Sequence, residues 1–342
     1  MNDINDGLLI WGAGAIGGTI GAALRRAGHP VAFVDIVPEH VAAISDPARG
    51  LRITGPVDEF TVAAPAMLPD AVRGIWRRVI LAVKAHHTEG AVRAIVPHLA
   101  QDGYVLSAQN GLNENIIARI VGRDRTIGAF VNFGADWMAP GEILYSNRGA
   151  VVLGELDGRA TPRLEALHAL MRDFEPDAIA TDRIWSYLWG KLGYGAMLFA
   201  QALGEQGIAD CLARPELLPA WRALGGEAVR VALAEGVDPL GFNGFDPAAF
   251  APGASEEAAR RSVAAMVAFN RPNAKTHSGV WRDLAVRRRQ TEVDVQIAPI
   301  AEIGARHGID CPAVRKLVSL IHEVEAGRRG LADDNLLELL AP

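Results

Sequence analysis

Residues 7–26, GLLIWGAGAIGGTIGAALRR, constrain this chain more than any other stretch. A short apolar run turns on closely spaced glycines and continues with apolar residues at helical spacing, so the segment reads as strand, tight turn and helix. That is the context in which a G-x-G-x-x-G pattern carries a mechanism. Gly12 permits the turn, Gly14 lets the backbone approach a pyrophosphate, and Gly17 allows the helix to pack closely on the sheet. The turn Gly12-Ala13-Gly14-Ala15-Ile16-Gly17 then presents a helix N-terminus to negative charge. The competing reading is a glycine-rich turn with no ligand.

The next segment, HPVAFVDIVPEHV, is a second strand pattern that ends at Asp35. A carboxylate about twenty residues beyond the glycines can accept hydrogen bonds from ribose hydroxyls, while a 2′-phosphate there meets like charge. No Arg or Lys follows in IVPEH. The expected cofactor is therefore NAD rather than NADP; a helix-capping role for Asp35 is the structural alternative. FAD shares the fingerprint, but nothing else in the chain points to a flavin. RRVILAVKAHHTEGAV repeats strand, turn and helix, placing Lys84, His86 and His87 at or beyond a strand's C-terminal end, where open parallel sheets bind ligands. DGYVLSAQNGLNENIIARIVG does so again, with Gln109-Asn110-Gly111 in the turn. Asn110 is either a turn former or a ligand contact. Residues 126–156 suit strands and a hairpin that complete the sheet, ATPRLEALHALMRDF supplies a helix, and DAIATDR leads out of a first domain spanning residues 1–180.

From residue 181 to 342 helix follows helix. SYLWGKLGYGAMLFAQALG is apolar almost all round, which predicts burial between domains, yet it carries Lys191. That lysine either snorkels to solvent or faces a cleft, where partial desolvation suits it to donate a proton to a carbonyl oxygen. LLPAWRALGGEAVRVALAEGV is a further helix, GFNGFDPAAFAPGAS a loop, and SEEAARRSVAAMVAFNRP a short helix opened by Ser255. The stretch from Thr276 to Ile309 reads as one long helix with Glu292 and Asp294 near its middle and Arg287-Arg288-Arg289 as a solvated face or a source of interdomain ion pairs. A last helix starts at Pro312.

Composition limits the alternatives. The 34 basic and 40 acidic side chains form no basic stripe, which argues against a nucleic-acid partner. No apolar run is long enough to span a bilayer, and the opening MNDINDG lacks the apolar region of a signal peptide. The two cysteines, Cys211 and Cys311, are too few for a disulfide scaffold or a four-ligand zinc site, and the histidines show no ligand spacing, so no metal is expected. A cytoplasmic protein acting on a small molecule fits these features, with no membrane partner.

In order along the chain, GAGAIGG, VKA at 83–85, QNG at 109–111, WGKLG around Lys191, and TEVD at 291–294 followed by ARHGI resemble the ketopantoate reductases, over nearly the whole length. The resemblance implies an N-terminal Rossmann-type α/β domain joined to a C-terminal all-α domain, with a small substrate between them and a 2-oxo acid and 2-hydroxy acid interconverted. Exposed apolar faces of the helical domain would let it form a homodimer. By the same resemblance Lys191 donates a proton to the carbonyl oxygen, Glu292 holds a substrate hydroxyl, Asn110 lies at the nicotinamide edge, and Lys84 lies near cofactor and substrate. The departures point to another substrate. Family members carry asparagines one and two helical turns after the lysine, where Gly195 and Phe199 stand here. They carry paired serines where this chain reads His277-Ser278-Gly279, one residue fewer between Asp283 and Glu292, and a basic residue in place of Asp35. Gly195 makes room, Phe199 adds apolar surface, and His277 and Ser278 offer new polar contacts to a differently shaped hydroxy acid or related alcohol. His277 otherwise has a structural role at a helix start. The principal alternative is the family's ordinary reaction, NADPH-dependent reduction of 2-dehydropantoate.

Overall fold

Strand stretches such as LLIW and VILA have no polar face, so a sheet built from them must be covered on both sides. The computed structural model, which describes residues 4–273 and 276–340, meets that demand. Residues 1–3 of the acidic opening and residues 341–342 lie outside the described residues. The chain parts into two compact units between Ile184 and Trp185.

The first unit runs β1 (Ile4–Trp11), α1 (Ala15–Arg26), β2 (Val31–Val34), α2 (Pro38–Ser45), β3 (Leu51–Thr54), β4 (Phe60–Val62), β5 (Ala66–Met67), β6 (Ile75–Leu81), α3 (Thr88–Ile95), β7 (Leu99–Ser107), α4 (Glu114–Val121), β8 (Thr126–Val131), β9 (Gly134–Ala139), β10 (Glu142–Asn147), β11 (Val151–Glu155), α5 (Pro162–Met171) and β12 (Ile179–Ala180). Its main sheet has the order β12-β11-β8-β7-β6-β1-β2-β5. The six strands from β8 to β5 are parallel, β11 is antiparallel to β8, and β12 is parallel to β11. From β1 the chain winds first outward to β2 and then back past β1 to β6. The carboxyl ends of β1 and β6 therefore flank the crevice of a topological switch point.

Alternation along the strands builds two cores. Leu8, Ile10, Phe33, Ile80 and Leu106 face α1 and α5, while Leu9, Trp11, Val34, Val79 and Val105 face α3 and α4. The hairpin of β9 and β10 was expected to complete this sheet; it does not. It joins β3 and β4 in a second sheet, ordered β4-β3-β10-β9, with Ile53 opposite Ile143 and both fully buried. Residues 51–62 provide the partners for β10, and a strand pattern alone does not reveal which edge it will pair with. The segment DAIATDR likewise forms a strand, β12, before the chain leaves the unit.

The second unit contains α6 (Ile184–Gln201, entered at the boundary), α7 (Ile208–Leu212), α8 (Leu218–Ala234), α9 (Glu256–Asn270), α10 (Gly279–Ala285), α11 (Val293–Gln296), α12 (Ala298–Arg306) and α13 (Pro312–Glu325), followed by a 3-10 segment, Asp333–Leu340. Ser255 caps α9 by accepting from Ala258 N–H, as its position predicted. Glu227, buried in α8, accepts from Ala313 and Val314 N–H at 2.9 and 2.8 Å, closing the N-terminus of α13. The single long helix expected over 276–309 is a misreading, because the chain forms three short helices there. Ser278 starts α10, and α10 ends before a stretch in which Arg288 adopts φ +48°. Arg287 and Arg289 reach back to the buried Asp283, at 3.0 and 2.8 Å, and Thr291 is tied to Glu325 of α13. Polar groups that partner across the unit compete with helix continuation, and the arginine run is consequently not a helix face.

Both thiols are buried, and burial pushes Cys211 up to about 12 and Cys311 up to about 11. The thiolate is the nucleophile, so at pH 8 an alkylating reagent should leave both unmodified in the folded protein and label both in urea. Rapid native-state labelling of either one would contradict this packing.

Candidate functional site

The glycines of the first turn differ in what surrounds them. Gly12 has φ +99°, and a Cβ on it would lie 2.8 Å from the backbone of Ala82 and Val83 at the end of β6. A Cβ on Gly17 would meet Gly12 O at 2.1 Å and the side chains of Ala82 and Ile10 at 2.9 Å. Gly14, by contrast, borders open space, with nothing within 4 Å of an added Cβ. Gly12 and Gly17 thus serve the close packing of turn, strand and helix, while Gly14 keeps an approach open. Gly14, Ala15 and Ile16 are partly exposed, and α1 begins with neither a side-chain cap nor an acidic residue in its first turn. Its leading N–H groups are therefore available to an anion such as a pyrophosphate.

Asp35 follows β2 directly. Its Oδ2 accepts from Ala13 N–H at 2.9 Å and its Oδ1 from Val37 N–H at 3.0 Å. Asp35 does not cap α2, whose N-cap is Val37 with no side-chain cap bond; a carboxylate has about four lone-pair sites, and two here are taken by backbone N–H groups. Ile36, 71% exposed, adds an apolar surface beside it.

Lys84 is exposed just beyond β6 and starts the 3-10 turn Ala85–His87. The adjacent His86 and His87 rings approach with Nε2 atoms 3.0 Å apart. Asn110 is exposed after β7, before Gly111 at φ +98°. A buried amide network fixes this edge. Gln109 Nε2 donates to Val83 O and Thr88 Oγ1, both at 2.9 Å. Thr88 is bonded to Asn113, whose Nδ2 donates to Asn110 O at 2.6 Å. Thr88 and Asn113 were not singled out in the sequence, where they look like ordinary helix-start residues. The first unit therefore brings together the glycine turn, Asp35, Lys84 and Asn110 along one edge of the sheet. A small cavity lined by Thr19, Arg26, Asp58, Tyr145 and Arg148 shares no residue with this group. Its arginines pair with Asp58 and Glu175, so its charge is balanced internally.

In the second unit, Lys191 and Gly195 lie one turn apart on α6 and are half-buried. An added Cβ on Gly195 would meet only Ile297 Cδ1, at 3.9 Å, so the room expected there is present. Gly190 and Gly193 allow a loop to cross α6 closely: a Cβ on Gly190 would lie 1.9 Å from Leu240 O, and one on Gly193 2.8 Å from the Phe245 ring. Phe199, expected to offer apolar surface, is only 2% exposed. Glu292 is not in mid-helix; it is the half-buried residue preceding α11, held between buried Thr291 and Val293. Thr291 N–H and Oγ1 both donate to Glu325 Oε1 at 2.7 Å, which fixes the backbone from which Glu292 projects. Ser278 is buried and its Oγ caps α10 by accepting from Trp281 N–H. His277 stacks beside Trp281, with ring centroids 4.0 Å apart, and its Nε2 lies 3.1 Å from Glu205 O. His277 and Ser278 are thus engaged in local structure at the start of α10. Among the described residues no group of three or more His, Cys, Asp or Glu side chains is placed to hold a metal, and no helix is long and apolar enough to cross a membrane.

Comparison with known proteins places both units. Residues 8–158 match the family described as ketopantoate reductase PanE/ApbA, and residues 183–325 match its C-terminal counterpart. A 2-dehydropantoate 2-reductase of Archaeoglobus fulgidus is 30% identical over 321 residues, 93% of this chain and 97% of that one. Among solved structures, a PanE/ApbA family ketopantoate reductase from Ralstonia eutropha is 27% identical with a TM-score of 0.77, covering 94% of this chain and 99% of that one. D-mandelate dehydrogenase in its ternary structure with NADH and anilino(oxo)acetate has a TM-score of 0.81 at 22% identity, covering 94% and 98%. At that identity the last likeness speaks for the fold alone.

Proposed function

Since the chain belongs to the ketopantoate reductase family, whose members are NAD(P)-dependent oxidoreductases acting on a CH–OH group, we propose that it interconverts a hydroxy acid and its oxo form with NAD as the hydride carrier. The observation that carries the NAD assignment is Asp35 at the end of β2, with no Arg or Lys in the five residues that follow it. A 2′-phosphate at this carboxylate meets like charge, whereas ribose hydroxyls find an acceptor. The bound dinucleotide supplies or takes the hydride. Lys191 donates the proton to the oxo oxygen during reduction and receives it during oxidation, Glu292 orients a substrate hydroxyl, and Asn110 contacts the nicotinamide end. A cation beside an oxygen that gains negative charge stabilises the transition state more than the ground state. Gly195 and Phe199 in place of two asparagines remove amide contacts and favour a substrate other than 2-dehydropantoate.

The second reading, NADPH-dependent reduction of 2-dehydropantoate, is favoured by the Archaeoglobus fulgidus relative. One panel separates the two. NADH formation is followed with 2- and 3-hydroxy acids, polyol acids and simple alcohols, beside 2-dehydropantoate reduction with NADH and with NADPH. The expected result is a selective response to one hydroxy-acid class, with NADH bound at least about tenfold more tightly than NADPH, a difference of about 1.4 kcal/mol. Efficient 2-dehydropantoate turnover would establish the second reading, and equal affinity for the two cofactors would remove the role given to Asp35.

A further inference from the structure

His40 is fully buried in α2, and both of its ring nitrogens are hydrogen-bonded to backbone atoms. Its Nε2 lies 2.8 Å from Ala13 O, in the glycine turn, and its Nδ1 lies 2.8 Å from Gly141 N, in the turn joining β9 to β10. A backbone N–H can only donate and a carbonyl can only accept. Both contacts are therefore satisfied by one species, the neutral imidazole with its proton on Nε2. The ring of Trp137 stands edge-on to it, with centroids 6.0 Å apart.

These contacts complete a clamp on one peptide residue. Ala13 N–H is held by Asp35 Oδ2 and Ala13 C=O by His40 Nε2, so both polar groups of the residue between Gly12 and Gly14 are fixed from outside the turn. The second sheet supplies the anchor. Gly141 sits at φ +82°, its carbonyl accepts from Arg52 N–H at 2.8 Å, and Ile143 of β10 packs so close to Gly18 that an added Cβ there would lie 2.3 Å from Cδ1. The same Cβ would lie 2.6 Å from Ala13 O, the atom His40 binds. An anion-binding turn works when its N–H groups already point at the ligand, because reorienting them on binding costs affinity.

We propose that His40 is a positioning residue for the cofactor: it ties the carbonyl of Ala13 to the β9–β10 turn and so holds the N-terminus of α1 in the geometry that receives the dinucleotide pyrophosphate. The proposal rests on the reading of this turn as the dinucleotide site. It makes the second sheet part of the cofactor site without any contact to the cofactor. It also gives Asp35 two duties, so replacing Asp35 to admit NADP loosens the turn as well.

The test uses the full chain and three substitutions. Along the side chain, a Gln amide nitrogen falls where Nε2 does, and an Asn amide group falls where Nδ1 does. His40→Gln therefore keeps a donor for Ala13 O, His40→Asn keeps only a group near Gly141, and His40→Leu keeps neither. Dissociation constants for NADH and ADP-ribose are read by fluorescence and calorimetry, with melting temperature measured beside them. The expected result is a rise of about tenfold in both constants for His40→Leu and His40→Asn, with His40→Gln within about threefold of the unmodified protein. A merely structural histidine would lower the melting temperature in all three while leaving the affinities of the folded proteins alike, and that pattern overturns the proposal. If His40→Leu fails to fold, the contrast between Gln and Asn decides in the same way. Absence of NADH and ADP-ribose binding by the unmodified protein overturns the reading of the turn, and the proposal with it.

Discussion

Lys191→Ala should bind NADH as the unmodified protein does and lose about a hundredfold to ten-thousandfold in turnover of whichever substrate the panel selects, the usual weight of a positioned proton donor. Alanine suits a helix interior, and Lys191 lies within the 18 residues of α6, so the fold should persist and the loss should appear in kcat. Lys191→Arg sharpens the result. A guanidinium keeps the positive charge but holds its proton far more tightly, so it should restore electrostatic stabilisation without efficient proton transfer and leave most of the deficit in place. Full activity in Lys191→Arg would mean that charge alone matters, and an undiminished kcat in Lys191→Ala would refute the catalytic role.

The second large effect separates two glycines of one motif. Gly17→Ala should cost roughly 3 kcal/mol of stability, because its Cβ would lie 2.1 Å from Gly12 O and the surrounding backbone has no room to yield. Gly14→Ala should fold with an unchanged or slightly raised melting temperature. Its φ of -67° and ψ of -161° suit any residue, and the space beside it is open. That same methyl projects where a pyrophosphate would approach, so NADH affinity should fall by about a hundredfold, or about 2.7 kcal/mol. Normal NADH binding by a folded Gly14→Ala protein would place the dinucleotide elsewhere. Stability assays and cofactor titrations on the two variants together therefore distinguish packing glycines from a ligand glycine.

The local parts of the site were legible in the sequence because their physics is local. A strand, a turn requiring φ > 0 at Gly12 and a helix without an acidic first turn occupy adjacent residues, and Asp35 follows the next strand by ordinary alternation. The helix carrying Lys191 was equally plain from its apolar length. Glu292 reads in sequence as a mid-helix residue, whereas it precedes α11. Apolar spacing continues through α10, α11 and α12, while the interruption depends on Asp283 gathering two arginines and Glu325 gathering Thr291 from 34 residues away. Ser278 shows the converse case: its residue type suggested a substrate contact, and its hydroxyl caps a helix.

By itself, then, the sequence determined a doubly wound α/β unit with a glycine turn opening its first helix, a helical unit bearing a lysine, and the family to which both belong. Each depends on periodicity or on glycines within a few residues of one another. Only the tertiary structure decided that β9 and β10 leave the main sheet to pair with β3, and that His40 reaches Ala13 and Gly141, 27 and 101 residues distant. Strand partners and buried polar contacts across such separations are chosen by the packed fold as a whole. A histidine inside a short amphipathic helix looks the same in sequence whether or not it holds a cofactor turn in place.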